Sequence, residues 1–496
     1  MSPVELAGEK STSPLAFIKR LVEMHKRRYD CHAMKVSIEG FVAGHDKKPF
    51  KARITIDKES GLITDVSAPK KGVTSDYIYG KDCLIFPGFG DVHIHAREDD
   101  TGKQSYKEEY QTAADAALHG GVVHVCAMPN TPHPVTGKDE FAWHRKHVAT
   151  IDHAVSILNY IGIDTKTKPL GRPGEHFYKL YFGKSVGDLT VTYGSELDVI
   201  LSRYKGHYIS FHVEYEPIVQ ASAGGKTHSD RRPVAAVNEG LRILLPLIEK
   251  YKIRAKLCHW STGGESFEMI REYRKRGCDI VLEVSPLHLL FDTSMTDADP
   301  SLWTKIQMNP AIQAPSHRAA LIKGLKEGFI QFIATDHAPH TEDEKFSAFA
   351  KFKDEYPNAD NKQIALAIKA EDETLFLDTC QENGHSGAPW LDTYALVTTW
   401  LMREHKFTTQ DIARVSAYHP GQFVNPHLER QFAKKNFGKG FGEIKKGFMG
   451  SLTVVNTKKE TLVRREDLKT KVGWSPLEDR TLPGAIEAVF IGGEKR

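Results

Sequence analysis

Nowhere in this chain do about 18 apolar residues run uninterrupted, the length a membrane-spanning helix requires, so hydropathy predicts no membrane span. Charge of one sign is missing too. The 67 basic side chains stand against 64 acidic ones, a formal net charge of +3, and no strong field draws the protein to nucleic acid or an anionic membrane. Cysteine is scarce and shows no C-x-x-C spacing. Cys31, Cys83, Cys126, Cys258, Cys278 and Cys380 read as reduced, mostly buried thiols instead of a disulfide framework, which predicts a cytoplasmic location. The segment Met1 to Glu9 has two glutamates and no apolar stretch, so a signal peptide is not expected. What the chain does have is 496 residues, 40% of them hydrophobic, enough for one large domain with a smaller one or for two to three ordinary domains.

From Asp91 onward short apolar runs alternate with helix-patterned segments, the rhythm of β/α units around a parallel sheet. The expected strands are Asp91 to His95, Val122 to Met128, Ala154 to Ile161, Phe177 to Phe182, Tyr208 to Val213, Arg254 to Trp260, Asp279 to Ser285 and Phe329 to Thr335. Eight strands predict a (β/α)8 TIM-like barrel, an α/β fold, although a doubly wound open sheet gives a similar alternation. Lys35 to Phe41, Ala52 to Ile56, Leu62 to Val66, Gly450 to Val455 and Ala485 to Ile491 look like strands of another style. They predict a small β-sandwich domain formed from both chain ends, 31–87 and 444–496, with the barrel at 88–443 between them. Residues 1–30 form an N-terminal extension in which Ser13 to Tyr29 is patterned as a basic amphipathic helix docking on its own protein.

The most informative stretch is Asp91-Val92-His93-Ile94-His95-Ala96-Arg97, because a strand points every second side chain to one face and aims both imidazoles at one place. Alone, an H-x-H reads equally as two hydrogen-bonded core histidines. Its weight comes from company: Lys179, His212, His259 and Asp336 stand at or just beyond the ends of other expected strands, which in a barrel converge on one face. Four imidazoles and a carboxylate suit two divalent ions, which need an anion between them. A lysine that loses its proton in an electropositive pocket and reacts with carbon dioxide supplies one; by spacing alone, Lys179 reads as a surface or ion-pair lysine.

Together with that stretch, Ala127-Met128-Pro129-Asn130-Thr131 and Ala334-Thr335-Asp336-His337-Ala338-Pro339-His340-Thr341 resemble dihydroorotase of the amidohydrolase superfamily. Tyr178-Lys179-Leu180-Tyr181, Leu257-Cys258-His259-Trp260-Ser261-Thr262 and Glu283-Val284-Ser285-Pro286-Leu287-His288-Leu289-Leu290 resemble further strands of that family, in its order, from about Phe86 to Tyr394. The resemblance implies two Zn2+ ions, one held by His93, His95 and Asp336, the other by His212 and His259, bridged by carboxylated Lys179 and a hydroxide. It implies reversible ring closure of N-carbamoyl-L-aspartate to (S)-dihydroorotate and water, in pyrimidine biosynthesis, with Asp336 as catalytic base and acid. Arg97, Asn130 and His340 then bind the substrate carboxylate, Ser185 lies in a substrate-contacting loop, and Ala388, in Gly387-Ala388-Pro389, touches the ring.

Two rival readings stay open: a hydantoinase or dihydropyrimidinase without carboxylate recognition, and a non-catalytic scaffold for aspartate transcarbamoylase. The presence of Arg97 with Asn130 argues against the first, and the complete set of six ligand positions against the second. Dimerisation and an aspartate transcarbamoylase partner are family expectations. Ala311-Ile312-Gln313 departs from the Pro-Leu-Arg-like run of many relatives, and the charged, partly helical insert at about 342–386 reads either as a lid or interface or as a surface excursion. Cys258 is expected to pack structurally, since neighbours on a strand point to opposite faces.

Overall fold

The computed structural model describes residues 34–183, 189–432 and 435–496; the amphipathic helix expected at Ser13 to Tyr29, Cys31 and the loop residue Ser185 lie outside the described residues. The chain begins with β1 (Lys35–Val42), β2 (Phe50–Asp57) and β3 (Ile63–Ser67), an antiparallel meander. Along β2, buried Ala52, Ile54 and Ile56 alternate with partly exposed neighbours, the period of two that a half-buried strand requires. The short β4 (Tyr77–Ile78) and then β5 (Cys83–Pro87) run parallel to β1.

The next nine strands make the barrel: β6 (Phe89–Ile94), β7 (Val122–Ala127), β8 (Ser156–Asn159), β9 (Ile161–Ile163), β10 (Phe177–Tyr181), β11 (Tyr208–His212), β12 (Arg254–Leu257), β13 (Ile280–Val284) and β14 (Phe332–Ile333). All neighbouring pairs are parallel. Both β6 and β7 are buried along their whole length, as in a sheet covered on both faces, and helices such as Tyr110–His119 and Val234–Tyr251 supply the outer cover. Gly90 in β6 has no tolerable substitute, because a Cβ there would sit 2.1 Å from the His124 imidazole of β7.

Two strands differ from the sequence expectation. The run Ala154 to Ile161 is divided at Tyr160, where pairing passes from β7 to β10; the Tyr160 hydroxyl turns inward and donates to the Val92 carbonyl at 3.0 Å. The run Phe329 to Thr335 is strand only at Phe332–Ile333, because the ladder gives way to side-chain hydrogen bonds. The Thr335 amide donates to the Asp91 carboxylate of β6 at 3.1 Å, and the His95 amide donates to the His337 carbonyl at 2.7 Å. Those bonds, with a bridge between Ile94 and His337, join the last strand position to the first and close the barrel.

After the barrel the chain returns through β15 (Leu452–Leu462), β16 (Thr481–Ile491) and β17 (Glu494–Lys495). Antiparallel pairing of β15 with β5 places Leu452 opposite Pro87 and gives one connected sheet, in the order β17, β16, β15, β5, β1, β2, β3. The sheet folds over a common core that includes Ile38, Ile54, Ile85, Val454 and Phe490, so both chain ends build the small β-domain. Residues 463–480 leave this sheet and dock on the barrel, where the Trp474 indole donates to the His340 carbonyl at 2.8 Å.

The insert is helical, with Glu342–Lys345, Asn361–Glu371 and Glu373–Cys380. Each start is legible in the side chains: Thr341, Asp360 and Asp372 accept from backbone amides as N-caps. Phe349, Ile364, Ile368 and Phe376 give it a small core of its own. No helix among the described residues is long and apolar enough to cross a membrane.

Candidate metal centre

A cavity of about 1380 Å3 opens at the carboxyl ends of the barrel strands, and His93, His95, His212, His259 and Asp336 all line it. Four separated pieces of sequence meet there, and a fifth brings Lys179 close by. The Asp336 Oδ1 atom lies 3.1 Å from Nε2 of His93 and 3.1 Å from Nε2 of His95. His212 Nδ1 faces His259 Nε2 at 3.0 Å. Lys179, fully buried on β10, sits close enough for its charge to act on His93, His212 and His259 together. Donor atoms of His93, His259 and Asp336 lie within 4.8 Å of one another, a spacing that one ion can span.

Metal binding needs neutral imidazoles and an ionised carboxylate, and all of these side chains but His93 meet that need. Burial pushes the His95 imidazole down to about 4, and burial with the neighbouring His212 pushes His259 well below its ordinary value. Burial opposes ionisation of Asp336, but His93 beside it and hydrogen bonds from His93 and His95 hold the carboxyl well below the usual range. His93 goes the other way: against burial, Glu283 and Asp336 raise it, so a proton supplies the positive charge that a divalent ion would bring. Among the described residues the buried Lys179 Nζ has no hydrogen-bond partner, nor do His95 Nδ1 and His259 Nδ1. Orphaned buried polar atoms are costly, and a carboxylated amine with its ions would satisfy the lysine. The donor set therefore fits a pair of divalent cations.

Behind the donors stand residues to which sequence reasoning gave no role. The Nδ1 of His93 donates to Glu283, whose other oxygen accepts from Lys256, both ion-pair partners fully buried. Glu214 accepts from His212 Nε2 at 2.8 Å and from Arg232 at 2.6 Å. Carboxylates of this kind fix which ring nitrogen points at a metal. The only hint in the sequence was position: Glu214 follows His212 by two residues and Glu283 opens the quoted Glu283 to Leu290 run.

Arg97, His259 and Asp336 all have backbone φ in the left-handed region, at 60°, 35° and 49°. Each costs on the order of 1–3 kcal/mol and persists only where surrounding bonds overrule it, a pattern concentrated at functional sites. The turn at His259 also breaks strand alternation after Leu257. The Cys258 sulfur is buried, but it lies within 4.8 Å of donor atoms of His93 and Glu283, so the opposite-face expectation does not hold there. His337, next to Asp336, turns to Glu108 at 3.0 Å and accepts from the Trp390 amide.

At the cavity wall Arg97 Nη2 lies 3.3 Å from His340 Nε2, and Asn130 accepts from the Tyr181 hydroxyl at 2.8 Å. All three expected carboxylate partners line the one cavity. Ala388 is fully buried, with its carbonyl accepting from the Ala338 amide; its neighbour Gly387, at φ 132°, is the residue that lines the cavity. Lys345 of the insert holds this rim by donating to the carbonyls of Gln307, His385 and Gly387.

No family model matches the chain. It is 28% identical over 467 residues to the dihydroorotase of Pyrococcus furiosus, covering 93% of this chain and 92% of that enzyme. The dihydroorotase of Bacillus subtilis is 33% identical over 326 residues, covering 62% of this chain and 72% of that enzyme. Among solved structures, L-hydantoinase from Arthrobacter aurescens superposes with a TM-score of 0.72 at 19% identity, covering 93% of this chain and 95% of that one. D-hydantoinase from Thermus sp. gives 0.70 at 18% identity, covering 93% and 94%. At such identity these two establish the shared fold, and the closer sequence likeness decides the branch. The same barrel, the cluster of ligand-type side chains at its mouth and that sequence likeness agree: the chain belongs to the dihydroorotase family of cyclic amidohydrolases.

Proposed function

We propose that this protein is a dihydroorotase, interconverting N-carbamoyl-L-aspartate and (S)-dihydroorotate plus water in pyrimidine biosynthesis. One observation carries the reading: a carboxylate held 3.1 Å from both imidazoles of the H-x-H strand shares a cavity with a buried guanidinium suited to an acid group. His93, His95 and Asp336 would hold one zinc, His212 and His259 the other, and carboxylated Lys179 would lie between them. Bound ions of this kind lower the pKa of a water and polarise the ring carbonyl. Arg97, Asn130 and His340 orient the ring through its carboxylate. Asp336 accepts a proton from the attacking water at its carboxylate and passes it to the ring nitrogen as the amide opens. In ring closure the same carboxylate takes the proton back from that nitrogen.

Chelation is expected to abolish dihydroorotate hydrolysis and added zinc to restore it, with two metals per chain by elemental analysis. A pure, metal-replete sample inactive in both directions would overturn the reading and favour the scaffold alternative. Glu214→Gln tests the outer ligand support. Its partner Arg232 is 21% exposed in its side chain and keeps water when the charge is removed, whereas breaking the buried Glu283–Lys256 pair costs about 3–5 kcal/mol and confuses stability with affinity. Metal affinity should fall roughly 10–100-fold by chelator competition, and an unchanged affinity would remove Glu214 from the metal support. A homodimer and an aspartate transcarbamoylase partner belong to the same reading and rest on the family resemblance, and a cytoplasmic location rests on the pattern of cysteines.

A further inference from the structure

Beside Arg97 the cavity wall carries a second cation and a counter-ion. Lys107 Nζ lies 2.8 Å from Glu344 Oε1 and 3.3 Å from His340 Nδ1. Glu344 Oε2 is 3.1 Å from the same His340 nitrogen, and the other ring nitrogen meets Arg97. Arg97 and Lys107 are 6% and 5% exposed, and both line the cavity. Glu344, at the start of the insert, also accepts at 2.7 Å from the hydroxyl of the exposed Tyr106. Burial, reinforced by Arg97 and Lys107 against the opposing Glu344, pushes the His340 imidazole down to about 3 and so keeps it neutral. Two cations and one carboxylate then leave the cluster with a single positive charge.

We propose that Lys107 is a specificity-determining residue for the substrate carboxylate, with Glu344 as its counter-ion, so that the clamp around Arg97 carries the one positive charge that a monocarboxylate ring neutralises. This rests on the assignment of Arg97 to the substrate carboxylate. The physical reason is charge balance in a desolvated place. Two unmatched cations there are costly, and a neutral cluster has nothing to offer an anion. Without Lys107, the Glu344 carboxylate cancels Arg97 and competes with substrate for His340. The insert thereby gains a role: its first turn supplies the charge that sets the clamp.

The test is a double-mutant cycle on the full-length metal-loaded enzyme, with Lys107→Met, Lys107→Arg, Glu344→Gln and the Lys107→Met/Glu344→Gln pair. Lys107→Met should raise KM for dihydroorotate about tenfold or more while kcat changes less than about threefold, because the Glu344 carboxylate, left without its counter-ion, cancels the charge that Arg97 offers the bound carboxylate. Lys107→Arg should keep KM near that of the parent. In the pair, which restores the net charge, KM should return to within about threefold of the parent. An unchanged KM in Lys107→Met, or a pair as impaired as that single variant, would overturn the proposal. If Lys107→Met does not fold, Lys107→Gln takes its place in the cycle, with the same outcomes. Calorimetric titration with orotate, which carries the same carboxylate, reads the cycle without turnover. An enzyme that binds orotate in this pattern but does not hydrolyse dihydroorotate would sink the proposed activity and leave the charge-balanced clamp standing; equal orotate affinity across the cycle would sink the clamp.

Discussion

Replacement of Asp336 by asparagine is expected to lower kcat about ten-thousand-fold in both directions of the reaction, the upper range for removal of a group that carries the proton. Asparagine preserves the shape and one oxygen near His93 and His95, which now lie 3.1 Å from the carboxylate, but it cannot take up a proton. It also tolerates the left-handed backbone at this position, φ 49°, better than most residues, so the variant should fold. Equal loss in hydrolysis and cyclisation is required, because one group moves the proton each way. The measurement is kcat in both directions with metal content determined on the same samples. A variant that keeps its metal and retains a tenth of the parent rate would end the assignment of Asp336 as general base and acid.

The second large effect concerns substrate choice. Arg97→Ala is expected to reduce kcat/KM for dihydroorotate about a thousand-fold, in line with loss of a buried charge-assisted pair, while the metal content is unchanged. Alanine at φ 60° meets the same backbone strain as arginine, so the substitution adds none. The guanidinium is nearly buried, next to His340. A hydantoinase has no use for this charge. Unchanged turnover of dihydroorotate would therefore undo the substrate assignment, and hydrolysis of rings lacking a carboxylate would favour the rival reading.

Much of the scaffold was legible in the chain because parallel strands covered on both faces are mostly apolar, as β7 is apart from His124. Strand ends were less legible. The last barrel strand is short because the Asp91 carboxylate replaces a backbone acceptor for Thr335, a choice made 244 residues away in sequence. The third is divided because the Tyr160 hydroxyl seeks the Val92 carbonyl, 68 residues away. Neither event leaves a mark in local hydropathy. Cys258 shows the limit of periodicity in another way: alternation holds only while the backbone is extended, and it stops before the left-handed turn at His259.

By itself the sequence determined which donors are available and in what local order, because His93 and His95 share a strand face by the period of two, and the motifs around Asn130 and Asp336 are contiguous. Only the tertiary structure decided what stands behind them: Glu283 against His93 across 190 residues, and the pairing of Lys107 with Glu344 beside His340. Such contacts depend on how barrel strands and insert are brought together in space. Hydropathy and spacing record only neighbours along the chain, so charges that balance each other across the fold become visible only once it has closed.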